Sequence, residues 1–269
     1  MVEGIWTLQK RVRPAAVAGK FYPGEADALR TMLRGLIDQA VTDAPPPKAM
    51  IVPHAGYIYS GPVAASAYAR LLNRTQPITR VVLLGPDHRV GFRGMAIPTV
   101  DDFATPLGRV ALDRDAIEHV ARLPGVIAFD QGHAQEHSLE VHLPFLQRVL
   151  DGFSLVPIVV GDAPAEQVAA VLDALWGGSE TLIVVSSDLS HDHDYATAQR
   201  RDRATTEAIT QLRGERLSGE DACGYRAIRG LLLTAAARGM TVTVVDQRNS
   251  GDTAGSRDRV VGYGAYVLQ

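Results

Sequence analysis

Ala49-Met50-Ile51-Val52-Pro53-His54-Ala55-Gly56 sets how the rest of this chain is read. Four apolar residues without polar alternation predict a short strand covered on both faces, and a Pro-His-Ala-Gly loop follows at once. The pattern recurs. Arg80 to Leu84 runs into Gly85-Pro86-Asp87-His88, and Thr181 to Ser186 runs into Ser187-Asp188-Leu189-Ser190-His191-Asp192-His193. Leu155 to Val160, Met240 to Val245 and the closing run Val260 to Val267 also read as strands. Between them, Glu25 to Ala40, Pro62 to Leu72, Asp113 to Leu123, Glu136 to Leu150, Ala163 to Trp176, Tyr195 to Leu212 and Cys223 to Arg238 read as helices. The first carries the apolar stripe Leu29, Met32, Leu33, Leu36 and Ile37. Such alternation predicts an α/β fold with a central, mostly parallel sheet flanked by helices. Ala44-Pro45-Pro46-Pro47 reads as a loop rather than a linker, and no internal repeat appears, so residues 1–269 are expected to form a single domain.

Bulk composition narrows the classes. The chain has 269 residues, 46% hydrophobic and 21% charged, which suits a packed globular core rather than disorder. A net charge of −3 with no long basic block argues against nucleic acid. Arg200, Arg201 and Arg203 are interrupted by Asp202 and Glu207, as on a solvated helix face. No apolar run approaches the roughly 20 residues that span a bilayer, so no membrane association is expected. Met1 to Arg13 lacks the apolar core of a leader, and the lone Cys223 excludes an intramolecular disulfide. A cytoplasmic location is expected.

Ligands in open α/β sheets bind beyond the carboxyl ends of the strands. Three strands here deliver a histidine at that position, out of eight histidines in the chain. One such residue is ordinarily a surface loop histidine. Three in one pattern favour a shared site, and neutral imidazole is the commonest protein metal ligand. Glu136-His137-Ser138-Leu139-Glu140-Val141-His142 adds two histidines and two carboxylates, one residue off the His-x-x-Glu-His zinc signature. On a helix, His137 and His142 would stand about 140° apart, too far to clamp one ion. A solvated helix start and a substrate-facing pocket wall remain equally open for this segment. Cys223 reads either as a small buried hydrophobe or, at a helix start, as a thiolate favoured by the helix dipole. Asp188 and His191 read either as a cap with a surface histidine or as a carboxylate orienting an acid/base imidazole.

Taken in order, these motifs resemble one family. Ala15 with Val17-Ala18-Gly19-Lys20-Phe21-Tyr22-Pro23, Pro53-His54-Ala55-Gly56-Tyr57 with Ser60-Gly61, Gly85-Pro86-Asp87-His88 and Thr105-Pro106-Leu107-Gly108 look like its successive signatures. Glu136 to Pro144, Ser186 to His191, Cys223-Gly224, Asn249-Ser250-Gly251-Asp252 and Val260-Val261-Gly262-Tyr263 continue it. The family is Memo, whose bacterial and archaeal members are also called protein B of the AmmeMemoRadiSam system. The resemblance covers nearly the whole chain. It implies a fold similar to the catalytic B subunit of class III extradiol dioxygenases, which hold Fe(II) with two histidines and a carboxylate. By that resemblance His54 and His88 match the histidine ligands, and Cys223 stands where the dioxygenases have the carboxylate. Asp188 and His191 match catalytic polar residues on the opposite wall. His137, Glu140 and His142 are expected to meet substrate. A functional link to AMMECR and radical SAM proteins is also implied.

Three functions follow as expectations. The first is a metal-dependent, dioxygenase-like oxidoreductase with Fe(II), copper or zinc being the other metals considered. The second is a non-enzymatic adaptor that holds a small molecule or phosphopeptide in the same pocket. The third is a zinc-dependent hydrolase with His191 as acid/base.

Overall fold

A computed structural model describes residues 10–269. The leader reading made for Met1 to Arg13 therefore falls largely outside the described residues. In chain order the strands are β1 (Val12–Arg13), β2 (Ala49–Val52), β3 (Arg80–Pro86), β4 (Met95–Ile97), β5 (Asp102–Thr105), β6 (Gly108–Ala111), β7 (Val126–Ala128), β8 (Ser154–Val160), β9 (Thr181–Ser186), β10 (His191–His193), β11 (Val242–Asn249) and β12 (Val260–Leu268). The helices are α1 (Ala26–Gln39), α2 (Tyr57–Tyr68), α3 (Arg114–Val120), α4 (Gln131–Ala134), α5 (Leu143–Val149), α6 (Ala165–Leu175), α7 (Tyr195–Thr210) and α8 (Tyr225–Ala237).

The large sheet runs β10-β12-β2-β9-β3-β8-β4-β7, with β11 also paired to β12. Its centre, β2-β9-β3-β8, is parallel. These four strands are buried almost throughout, as their unbroken apolar runs require. The flanks depart from the expected parallel order. β12 runs antiparallel to β2, β10 and β11, and β4 antiparallel to β8. The sheet is therefore mixed: the parallel heart meets antiparallel pairings on both sides, and the outermost β4–β7 pair is again parallel. β1, β5 and β6 form a separate small sheet.

Helices α1, α2 and α5 pack on one another, with α2 also against β2, β11 and β12. Helices α3, α6 and α8 form a second group, in which α8 lies against β3 and β9. The stripe Leu29, Leu33 and Ile37 is what α1 buries. Gly230, mid-helix in α8, permits its close approach to α6: a Cβ there would stand 2.4 Å from Val168 Cγ1 and 3.2 Å from the Ala165 carbonyl oxygen. One apolar core extends from Val17 to Leu268 and takes in both groups. Among the described residues no helix is long and apolar enough to cross a membrane.

Two expected helices begin later than their sequence pattern implies. Glu136 to Leu139 is not helical. A 3-10 turn spans Glu140–His142, and α5 starts at Leu143. The Glu136 carboxylate accepts the backbone N–H groups of His137 and Ser138, a local bond that competes with helix, while Pro144 suits a first helical turn. The helical geometry used above for His137 and His142 thus does not apply. Likewise α8 begins at Tyr225 with Gly224 at its N-cap, which leaves Cys223 in the preceding turn.

A buried ion pair ties the first described strand to this irregular segment. Arg13 Nη1 donates to Glu140 Oε2 at 2.7 Å, with the two side chains 5% and 0% exposed. The other Arg13 nitrogens donate to the carbonyls of His133 and Glu136. Glu140 also accepts the N–H groups of Ala16 and Val17 and the Tyr22 hydroxyl. Such a pair is tolerated in a core because every charge finds hydrogen bonds.

Candidate metal centre

Parallel strands β2, β9 and β3 are adjacent, so the loops after them open at one edge of the sheet. His54 follows β2, Asp188 follows β9 and His88 follows β3. Cys223 arrives from the other direction, on the turn before α8. Gly224 lets that turn close in, since a Cβ there would stand 2.4 Å from the Ser186 carbonyl oxygen and 2.7 Å from Ser187 Cβ. Backbone bonds complete the seating: Cys223 N–H donates to the Asp188 carbonyl, and Gly224 N–H to Ser187 Oγ.

The result is a compact donor set. One ligand atom each from His54, His88 and Cys223 lies within 4.8 Å of the other two. Cys223 Sγ is 3.3 Å from His54 Nε2 and accepts the Asp188 backbone N–H. His137 joins the same cluster, its ring 4.7 Å from His88 and 5.4 Å from His54 between centroids.

The protonation of His54 follows from counting donors. Ser186 Oγ has three partners: the Ser138 carbonyl at 2.6 Å, His54 Nδ1 at 2.6 Å and His142 Nε2 at 2.7 Å. A carbonyl only accepts, so the single hydroxyl proton goes to Ser138. Both rings must then donate to Ser186. His54 carries its proton on Nδ1 and presents a bare Nε2 lone pair to Cys223. His142, with Nε2 donating, accepts the Tyr68 hydroxyl at Nδ1, 2.9 Å away. Burial holds His54 well below the usual imidazole range, assisted by neighbouring His88, His137 and His142. It pushes His142 down to about 3. Both rings are neutral near pH 7.

Glu136 does the corresponding work for His88. It is buried, receives the His88 backbone N–H at 2.6 Å, and lies 3.0 Å from His88 Nδ1. That contact leaves His88 Nε2 as the ring's free ligand atom. His137 Nδ1 also sits 3.2 Å from Glu136 Oε1, though outside good hydrogen-bond geometry. Burial alone would raise the Glu136 pKa. The histidine contacts and the Ser138 N–H outweigh it and hold the carboxyl well below the usual range. Metal-bound histidines characteristically have such partners on their second nitrogen.

The remaining expected residues are placed as follows. Asp188 is buried beside the donor set, accepts the His54 backbone N–H at 2.7 Å, and is raised above the usual carboxylate range by burial. His191 is exposed on β10, and among the described residues no hydrogen bond joins it to Asp188. His142 stands behind the donor set, between Tyr68 and Ser186. Glu140 has both oxygens engaged, Oε2 by Arg13 and Oε1 by the Val17 N–H and the Tyr22 hydroxyl. The Cys223 thiol is driven up by burial and then by Asp188, so the helix-dipole activation weighed from sequence is not what dominates here. Glu136 and Ser186 were not among the expected site residues. Each lies within a motif quoted above, but its role depends on contacts with distant segments.

A cleft of about 490 Å³ reaches this centre, with Cys223, Pro86 and Asp87 among its lining residues.

Comparison with known proteins identifies a family. The profile described as Memo-like protein matches residues 13–267. A MEMO1 family protein of Aquifex aeolicus is 35% identical over 264 residues, covering 94% of this chain and 97% of the relative. One from Saccharolobus solfataricus is 34% identical, covering 93% and 97%. A third, from Methanothermobacter thermautotrophicus, is 32% identical, covering 94% and 98%. With the match running from the first described strand to the last, the chain belongs to the Memo family.

Proposed function

We propose that the chain is a metal-dependent redox protein of the non-haem iron type, holding its ion with His54, His88 and Cys223. The observation that carries this reading is the convergence of the three ligand atoms within 4.8 Å, with the distal nitrogen of each imidazole already engaged. Two imidazole nitrogens and a sulfur suit iron, copper or zinc, and leave coordination positions open. When bound, such an ion supplies Lewis acidity or one-electron chemistry at those positions. The chain's own residues do the rest. Ser186 and Glu136 orient the two rings. Asp188 and His137 present polar groups beside the donors, where Asp188 can hold a proton. The cleft gives a small reactant access to the Cys223 side.

Iron is the first expectation and copper the second. Zinc hydrolysis ranks last, because His191, its expected acid/base, stands exposed and without a hydrogen bond to Asp188. The test is metal analysis of protein purified without oxygen from iron-supplemented cells. About one ion per chain is expected, lost in His54→Ala and Cys223→Ser. Wild-type protein with no iron or copper above background would falsify the proposal.

An adaptor reading is supported by the same cleft, which can hold a ligand without turnover. It predicts ligand binding that survives metal removal and the Cys223→Ser substitution.

A further inference from the structure

The cleft beside Cys223 is uneven in charge. Its wall carries Arg93 and Arg226 against Asp87 and Asp162. A second depression of about 460 Å³ shares Arg93, Asp162 and Arg226 and continues it outward past Arg229. The formal charges nearly balance, but their availability does not.

Both acids are already engaged. Asp87 accepts the backbone N–H groups of Arg89, Val90 and Gly91. Asp162 accepts Arg226 Nη2 at 2.9 Å. Arg229 is taken up by the carbonyls of Gly214, Glu215 and Leu217. Arg93 differs: among the described residues its guanidinium has no ion-pair or hydrogen-bond partner, and the residue is exposed. Its backbone is nonetheless fixed. Flanking Gly94 exchanges hydrogen bonds with Gly161 and Asp162, and Asp162 N–H donates to the Phe92 carbonyl. A free guanidinium therefore stands on a hydrogen-bonded segment at a cleft that Cys223 also lines. Phe92, Val160 and Ala227 contribute apolar lining to the same cleft.

A guanidinium fork matches carboxylate and phosphate oxygens. The cleft volume lies in the usual range of roughly 300–1,000 Å³ for small-molecule sites. We infer that the reactant of this centre is a small organic anion, its carboxylate or phosphate held by Arg93, its apolar body directed towards Cys223. This names the substrate class of the proposed metal site and so rests on that reading.

The single cysteine supplies a direct probe. Metal-free protein is alkylated with iodoacetate, an anion, and with neutral iodoacetamide. In both reactions the thiolate forms an S–C bond, the C–I bond breaks, iodide leaves and the thiol proton passes to buffer. The ratio of the two rates cancels the thiol's own reluctance to ionise. The ratio is expected to fall about five-fold or more in Arg93→Gln, to be largely restored in Arg93→Lys, and to decline with salt in wild type. Benzoate or phenyl phosphate should slow the iodoacetamide reaction, whereas benzamide should not. Whichever anion protects at lower concentration identifies the head group. A wild-type ratio unchanged by Arg93→Gln, or equal protection by benzamide, overturns the inference. Metal content measured on each preparation as purified, before the metal is stripped for alkylation, separates the two failures. Full metal loading without anion preference sinks the substrate class alone, and anion preference without metal sinks the metal reading alone.

Discussion

Ser186 has one proton to give and three polar neighbours, and that shortage sets the state of two histidines. Ser186→Ala removes the acceptor for His54 Nδ1–H and His142 Nε2–H together. The ring of His54 is then free to turn or change tautomer. The expected outcome is a loss of metal affinity of about 10–100-fold with the fold retained, measured by competition with a chelator alongside a melting curve. Glu136→Gln should act similarly on His88, because an amide cannot accept both His88 N–H groups as a carboxylate does. His54 and His88 were legible from sequence because each ends an apolar strand. Cys223 was assigned only through family resemblance. Nothing local announces that its turn docks on the end of β9, since that depends on Gly224 meeting the Ser186 carbonyl. The partners Glu136 and Ser186 were hidden for the same reason. A hydrogen bond between residues 48 or 132 positions apart leaves no periodicity to read.

At the scale of elements, strands proved more readable than helix starts. β2, β3, β8 and β9 are continuous apolar runs, and their burial on both faces is the direct cause of that pattern. The segment after Glu136 carries helix-like spacing, yet side-chain capture of its first N–H groups delays the helix to Leu143. Short strands such as β1 and β7 are too brief to show any period. Two substitutions probe how elements are held. Gly230→Val should force α8 off α6, at a cost of about 1–3 kcal/mol, and lower the melting temperature by several degrees. Because α8 follows Cys223 directly, metal affinity should drop with it. Glu140→Gln leaves Arg13 buried and half-paired, a loss of about 3–5 kcal/mol in urea unfolding. A change below about 1 kcal/mol there would mean that the clasp behaves like a surface pair.

For the whole molecule, buried neutral histidines set the acid limit. Burial lowers His133 to about 4 and His142 to about 3. In the unfolded chain both titrate near 6.5. As pH falls below that value the unfolded state takes up protons that the folded state refuses, so stability declines from about pH 6.5 towards 4. Above pH 7 the effect is flat. Each ring can contribute a slope of up to ~1.4 kcal/mol per pH unit. Urea unfolding at pH 7, 6 and 5 should show the decline, and His133→Gln should reduce it by about one proton's worth. An acid limb identical in wild type and His133→Gln would remove that ring from the account. The sequence revealed the α/β layering and the sheet edge that carries the candidate donor set. It did not reveal that β12 enters antiparallel beside β2, because a strand's pattern records its burial and not its direction. One last consequence follows from where the three donors sit. His54, His88 and Cys223 belong to segments widely separated along the chain, and a shared ion would act as a temporary cross-link closing two long loops. In the ion-free chain those loops can open one at a time. In the loaded chain they would open only together, so backbone amides at all three would exchange with solvent at a single common rate.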